Sequence, residues 1–208
     1  MGFKKKKNRN YGHLQGVKTV QKIVEASIHF KIPIISFYVF SSENWKRPKT
    51  EVNYLFNLIK IYFKKEINSI IKNKIRINII GRLNNLSKDI KKTLINTTRK
   101  TKKNKKLIVN LAINYGSKNE IIDSIKKLNH NSKIINEKNI EKNLYLNLPF
   151  PDILVRTGGY KRLSNYMLWQ LAYTEIFFLD KLWPDFSKND LSKIIKKFHK
   201  IKRNFGSI

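Results

Sequence analysis

The sequence predicts an α/β fold: a mostly parallel central sheet flanked by helices, in a single domain. Three observations lead there. Ile34–Phe40, Ile75–Ile80 and Leu107–Ala112 are short, mainly apolar runs rich in β-branched or aromatic residues, the first without any charge, the composition of strands buried on both faces. Between them lie stretches whose apolar residues recur at three and four, as on one face of a helix. The first run also stops being apolar at a single point, at Ser41. Open α/β sheets bind ligands just beyond the carboxyl ends of their strands.

At 208 residues the chain suits one domain, large enough to bury roughly 70% of its unfolded surface. Lys and Arg number 44 against 14 Asp and Glu, a formal charge of +30. That charge alone suggests nucleic acid, an anionic membrane or a polyanionic small molecule as partner. Lys, Asn and Ile are enriched together, however, as an AT-rich genome imposes, so much of the Lys decorates solvent faces. Cysteine is absent, which excludes disulfides and thiolate metal sites. No run approaches the ~20 apolar residues of a membrane span, and no signal-peptide pattern opens the chain. The expectation is a cytoplasmic protein.

In order along the chain, MGFKKKKNRNY is too polar to pack, and Lys4–Lys7 read as a disordered basic arm. Gly12-His13 leads into a helix with Val17, Val20, Val24 and Ile28 on one stripe. The strand Ile34–Phe40 is entered through Pro33. Glu51–Lys72 is the longest helix, with Val52, Leu55, Phe56, Ile59, Tyr62, Phe63, Ile67 and Ile70 inward over about 33 Å. So broad a face suits a core. Ile75–Ile80 ends at Gly81, Ser87–Thr101 is a polar helix, and the charge run 102–106 is solvated. Leu107–Ala112 precedes Asn114-Tyr115-Gly116. Ser117 and Glu120 form a capping box for a helix with Ile121, Ile122, Ile125 and Leu128 inward. Residues 130–148, rich in Asn and Lys, carry little signal. Ile153–Val155 is a short strand, and Ser187 and Asp190 cap a last helix burying Leu191, Ile194, Ile195 and Phe198. No repeat or linker divides the chain.

Two loops carry chemistry. Ser41, Ser42, Glu43, Asn44, Trp45, Lys46 and Arg47 follow the first strand without a break, closed by Pro48. Two hydroxyls, a carboxylate, a carboxamide, an indole and two cations there form a site, and an indole on a loop needs packing. The second loop starts at Arg156, turns through Thr157-Gly158-Gly159, and continues to Arg162, Leu163, Ser164 and Asn165. Two guanidiniums across a glycine turn suit a diphosphate, because Arg donors match phosphate oxygens and glycines let backbone N–H groups approach. Arg9 and His13 at a helix entrance would suit a diphosphate, the alternative being a lone surface His near a basic tail. Glu175 stands in the apolar run LWQLAYTEIFF, and such a carboxylate needs a metal ion, an arginine or a buried ion pair.

FSSENWKRP, RTGGYKRLSN and LWPDF resemble the signatures of the cis-prenyltransferases, the undecaprenyl diphosphate synthase family, and the likeness runs from Arg9 to Gly206. The resemblance implies condensation of isopentenyl diphosphate onto an allylic diphosphate with formation of a cis double bond. It implies a hydrophobic tunnel walled in part by the long helix, Mg2+ as cofactor, a homodimer, and peripheral membrane contact at product release, with no nucleic acid as partner. Arg9 and His13 keep the family's spacing for a phosphate-binding pair. Arg156, Arg162 and Ser164 fall where isopentenyl diphosphate is held, with Leu163 between. Asn44 is the candidate for steering the departing proton, Ser41, Ser42, Glu43, Trp45 and Arg47 line the substrates, and Glu175 takes part in binding Mg2+.

Two departures from the family are expected to matter. The family opens with a buried strand ending in Asp-Gly-Asn, whose Asp places Mg2+; counted back without gaps, it falls five residues before Met1. The family's Glu after the glycine turn is here Tyr160, expected to serve neither as a metal partner nor as a clamp for an arginine. The alternatives are a non-catalytic or decayed relative supporting a partner subunit, and a basic membrane- or nucleic-acid-binding module.

Overall fold

The computed structural model of the chain describes residues 9–205. The Lys4–Lys7 arm and Gly206 lie outside them. Residues 9–11, expected to belong to the arm, open the first helix instead: α1 is Arg9–His29. The chain divides after Gly116 into two compact units.

In the first unit, α1 is followed by β1 (Ile34–Ser41), a 3-10 turn (Ser42–Lys46), α2 (Lys49–Lys72), β2 (Ile75–Ile80), α3 (Lys88–Thr101) and β3 (Leu107–Tyr115). The three strands form a parallel sheet in the order β1-β3-β2. Parallel pairing with helical crossovers is what the mainly apolar runs require, since both faces must be covered. Leu107, Val109, Ala112, Ile113 and Tyr115 of β3 are buried, with Ile75, Ile77 and Ile80 of β2 beside them. One row of the sheet is polar and in register: Asn78 donates to Asn110 at 2.9 Å, and Asn110 to Ser36 at 3.1 Å. A one-residue slip of any strand would strand those buried amides among apolar neighbours.

The expected stripe of α1 is only half-buried. Thr19, Ile23, Ala26 and Ser27 form its buried side, whereas Val17, Val20, Val24 and Ile28 line a cavity against α2 and the sheet. The broad face of α2 divides likewise. Val52, Leu55 and Phe56 are core, while Ile59, Tyr62, Phe63 and Ile70 also line the cavity.

The second unit holds α4 (Ser117–His130), α5 (Glu137–Asn143), β4 (Ile153–Thr157), β5 (Glu175–Leu179), a 3-10 turn (Trp183–Asp185) and α6 (Lys188–Phe198). Strands β4 and β5 pair in parallel. The capping box expected for α4 is replaced by longer-range bonds. Ser117 is helical itself, and its hydroxyl accepts the Leu168 N–H at 2.9 Å. Glu120 accepts from the Tyr145 N–H and the Gln170 side chain, both at 2.9 Å. Ile122, expected inward, is 46% exposed. The buried side runs through Ser117, Glu120, Ser124 and Leu128, and Ile122 falls off that stripe at 100° per residue. The α6 capping box forms as expected, with Ser187 and Asp190 satisfying each other's backbone N–H.

Candidate active site

The first cluster begins with two opposed irregularities. Val39 is an extra residue in β1 between Tyr38 and Phe40, and Asn114 an extra residue in β3 between Ile113 and Tyr115. Bulges re-aim the chain where pairing ends. Asn114 adopts φ 50, a left-handed conformation that Asn tolerates better than most residues. Its Oδ1 accepts the Trp45 Nε1–H at 2.8 Å, and its own amide donates to the Arg82 carbonyl at 2.6 Å. Gly81 makes this approach possible. At φ +118, any Cβ there would stand 2.2 Å from the Ile113 carbonyl oxygen.

Trp45 is packed, as a loop indole requires. Its ring stacks on Phe56 at 5.6 Å and meets Phe40 edge-on at 5.1 Å. Asn44 Oδ1 accepts the Ser41 N–H at 3.1 Å, and the Asn44 carbonyl accepts the Arg47 N–H at 3.0 Å. The loop is therefore closed on itself by backbone bonds. Ser42 lies half-buried and Glu43 exposed on the same turn.

Arg9, His13 and Arg47 converge, and they do so on a residue that sequence reasoning left within a helix. Glu51, in the first turn of α2, accepts from Arg9 Nη1 at 2.9 Å, meets His13 Nε2 at 3.2 Å and accepts from Arg47 Nη1 at 3.1 Å. Its side chain is only 10% exposed. Burial works against its charge, yet the Arg9 and His13 hydrogen bonds and the Arg47 charge hold its carboxyl below the usual carboxylate range. The signal was present as Arg47 and Glu51 at i, i+4.

Beside this cluster the first unit opens into the cavity, about 150 Å³. Val39, Ile75, Ile77, Val109, Leu111 and Ile113 supply its sheet wall. Polar groups gather on the helices: Gln21, Glu25, Tyr62, Glu66, Ser69 and Asn73. Burial, with Glu66 and Glu25 adding, pushes the Tyr62 phenol up to about 12, so it is a neutral donor.

In the second unit Arg156 lies inside β4, and its Nη1 donates to Ser164 Oγ at 3.0 Å. Gly158 and Gly159 take φ 96 and 80, as a tight turn demands. Their N–H groups, expected to approach an anion, donate instead to the carbonyls of Lys181 and Leu179 at 2.9 and 3.0 Å. Those two N–H groups are therefore not the loop's anion donors, whereas the Arg156 and Arg162 side chains remain on it. Tyr160 departs from expectation too: the Arg162 guanidinium lies over its ring at 4.3 Å, so it does clamp an arginine, through its π-face. Ser164, Asn165 and Met167 all have positive φ. The N-terminus of α4 imposes this shape, because Ser117 and Lys118 N–H donate to the Asn165 carbonyl and side chain at 2.8 and 3.0 Å. Leu163 is half-buried within the loop.

Glu175 is placed apart from these cations. It opens β5 opposite Ile153, whereas Arg156 pairs with Phe178 three positions on. Among the described residues its nearest charge is Arg203, 4.0 Å away, which also donates to Asp152 at 2.6 Å and to the Tyr173 carbonyl at 2.9 Å. Among the described residues no three of His, Asp and Glu gather so as to hold a metal ion. Glu175 and Asp152 fit a shared guanidinium; with a metal they would need further oxygens from a ligand.

Residues 2–206 match the family model described as "Putative undecaprenyl diphosphate synthase". This chain belongs to that family. The prenyltransferase is 39% identical to the isoprenyl transferase of Fusobacterium nucleatum over 96% of this chain and 87% of that protein. It is 44% identical to the isoprenyl transferase of Rickettsia bellii over 95% and 88%. The crystal structure of a probable undecaprenyl diphosphate synthase from Campylobacter jejuni superposes with a TM-score of 0.85 at 39% identity, covering 93% of this chain and 92% of that one. Lavandulyl diphosphate synthase from Lavandula x intermedia, in complex with dimethylallyl diphosphate, gives a TM-score of 0.94 at 27% identity, covering 99% and 92%. The family is enzymatic, and cis-prenyl transfer yielding a polyprenyl diphosphate is the activity of this prenyltransferase. A nucleic-acid module is not favoured. No helix among the described residues is long and apolar enough to cross a membrane.

Proposed function

We propose that the two cationic clusters divide the substrates between them. Arg9, His13 and Arg47 take the diphosphate of the allylic substrate, and Arg156, Arg162 and Ser164 that of isopentenyl diphosphate. The observation that carries this reading is their convergence: two guanidiniums and an imidazole meet at Glu51, and Arg156 is hydrogen-bonded to Ser164. The apolar cavity takes the growing hydrocarbon.

The allylic C–O bond breaks with its electron pair passing to the diphosphate, where fixed cations stabilise the charge as it develops. The double bond of isopentenyl diphosphate supplies the electrons of the new C–C bond, and loss of a proton sets the cis alkene. Asn44 orients that proton rather than removing it. An amide is a weak base, and its Oδ1 accepts the Ser41 N–H, so its NH2 group acts by donating to the diphosphate oxygen that takes the proton and holding that oxygen in place. A diphosphate oxygen is the acceptor.

Mg2+, when bound, supplies further charge neutralisation, and Glu175 would hold it together with substrate oxygens. A polyprenyl product is too apolar to leave into water, so release occurs at a bilayer surface. Apolar side chains on β5, Ile176 and Phe178, stand 38% and 39% exposed, which supports pairing with a second copy.

The test is a pair of substitutions. Arg162→Ala should weaken isopentenyl diphosphate by roughly 1.5–3 kcal/mol, as for a hydrogen bond to a charged group, and the allylic substrate much less. Arg9→Ala should do the reverse. Equal losses for both substrates in either variant would overturn the division.

A further inference from the structure

An anion sits inside the cluster read as an anion site. Glu51 is 10% exposed and lies within 3.2 Å of nitrogens of Arg9, His13 and Arg47. Held ionised by those partners, it repels a bound diphosphate through space and so lowers ground-state affinity. Its presence needs another reason, and geometry supplies one. Two guanidiniums drawn to one carboxylate would repel each other without it, and the imidazole would lose a partner that orients its ring. Arg9 and Arg47 retain 58% and 37% side-chain exposure even when held. A guanidinium is a rigid plane of five N–H donors. Fixing one nitrogen on Glu51 therefore orients the rest. Glu51 itself sits well in the first turn of α2, where the helix dipole favours a negative charge.

We propose that Glu51 is the positioning residue of the allylic diphosphate site: an internal counter-anion that holds Arg9, His13 and Arg47 in the arrangement the leaving diphosphate needs. It touches no reacting atom and acts through those three side chains. The proposal rests on the assignment of Arg9 and His13 to the allylic substrate. An interaction that matters more as charge develops than before it is read in kcat rather than in KM.

The experiment is steady-state kinetics of the full chain carrying Glu51→Gln, Glu51→Asp and Glu51→Ala, varying each substrate in turn. Glu51→Gln should lower kcat at least about tenfold while the allylic KM stays within about threefold or falls, because a repelling charge has gone. The isopentenyl diphosphate KM should not move. Glu51→Asp, which keeps the charge, should recover part of the lost kcat, and Glu51→Ala none. Arg9→Ala should then cost less in the Glu51→Gln background than in the native chain, since the two act as a unit.

Native kinetics in Glu51→Gln would overturn the proposal. So would equal rises in both KM values with a lowered melting temperature and no recovery in Glu51→Asp, which is how a merely structural residue behaves. Full additivity with Arg9→Ala would overturn it as well. Arg9→Ala alone separates the two levels: an unchanged allylic KM there removes the substrate assignment itself, whatever Glu51 does.

Discussion

Trp45 Nε1 donates to Asn114 Oδ1 at 2.8 Å across 69 residues of sequence. That bond ties the loop after β1 to the carboxyl end of β3, and Asn114 fastens the Arg82 carbonyl with its other side. Trp45→Phe would keep the stacking on Phe56 but leave a largely buried acceptor unpaired. The expected loss is about 1–3 kcal/mol in urea unfolding, with a lowered kcat. Trp45→Phe as stable as the native chain would mean water replaces the indole donor.

Tyr160 and Arg162 give a second prediction. The ring lies 4.3 Å from the guanidinium at an exposed site, a contact worth about 0.5–1 kcal/mol. Tyr160→Ala should raise the isopentenyl diphosphate KM a few-fold at unchanged allylic KM, and Tyr160→Phe should match the native chain. A Phe variant as impaired as the Ala variant would assign the effect to the hydroxyl instead.

Acid should expose the cap of α6. Lys181 bonds both Asp190 oxygens at 2.8 and 2.7 Å, and with Ser187 it lowers that carboxyl from 3.8 to about 2. A depressed folded pKa contributes stability that is complete above the unfolded value and lost as pH falls through the folded one. Asp190→Asn should therefore be less stable than the native chain at pH 7, with the gap closing between about pH 4 and pH 2. A gap that persists below pH 2 would point to packing, not charge. Thermal melts of both chains across that range decide it.

The cavity wall can be thickened. Val24 on α1 faces it without being fully buried, so Val24→Phe can fill space without overpacking the core. Shorter products are expected at a near-native melting temperature, read by chromatography of the polyprenols. An unchanged product distribution would place the hydrocarbon elsewhere.

Much of this was written in the sequence. Strands β1 to β4, the polar break at Ser41 and the two cationic loops follow from local composition, whereas β5 was read only as an apolar run, and Ser187 with Asp190 capped α6 as their spacing required. What escaped depended on distance along the chain. Glu51 looked like any acid near a helix start, and its role comes from Arg9 and His13, 42 and 38 residues away. Ser117 and Glu120 have the local spacing of a capping box, but tertiary bonds to Leu168, Tyr145 and Gln170 took precedence. The half-burial of Val17, Val20, Val24 and Ile28 was equally illegible, because periodicity marks an apolar face without saying whether it meets side chains or empty space. The glycine turn misled for a related reason: its N–H groups were claimed by carbonyls twenty or more residues on.

The loop from Ser41 to Arg47 is bound to itself and to β3 before any ligand arrives. Its order is thus acquired during folding, and no slow closure of this segment need precede capture of an anion. Encounter should then set the pace. With a formal charge of +30 the association rate for a diphosphate should be high and fall steeply as salt is added, while the dissociation rate changes little. Stopped-flow traces at increasing ionic strength should show one salt-sensitive phase, without the salt-independent lag of a loop that has to fold over its ligand.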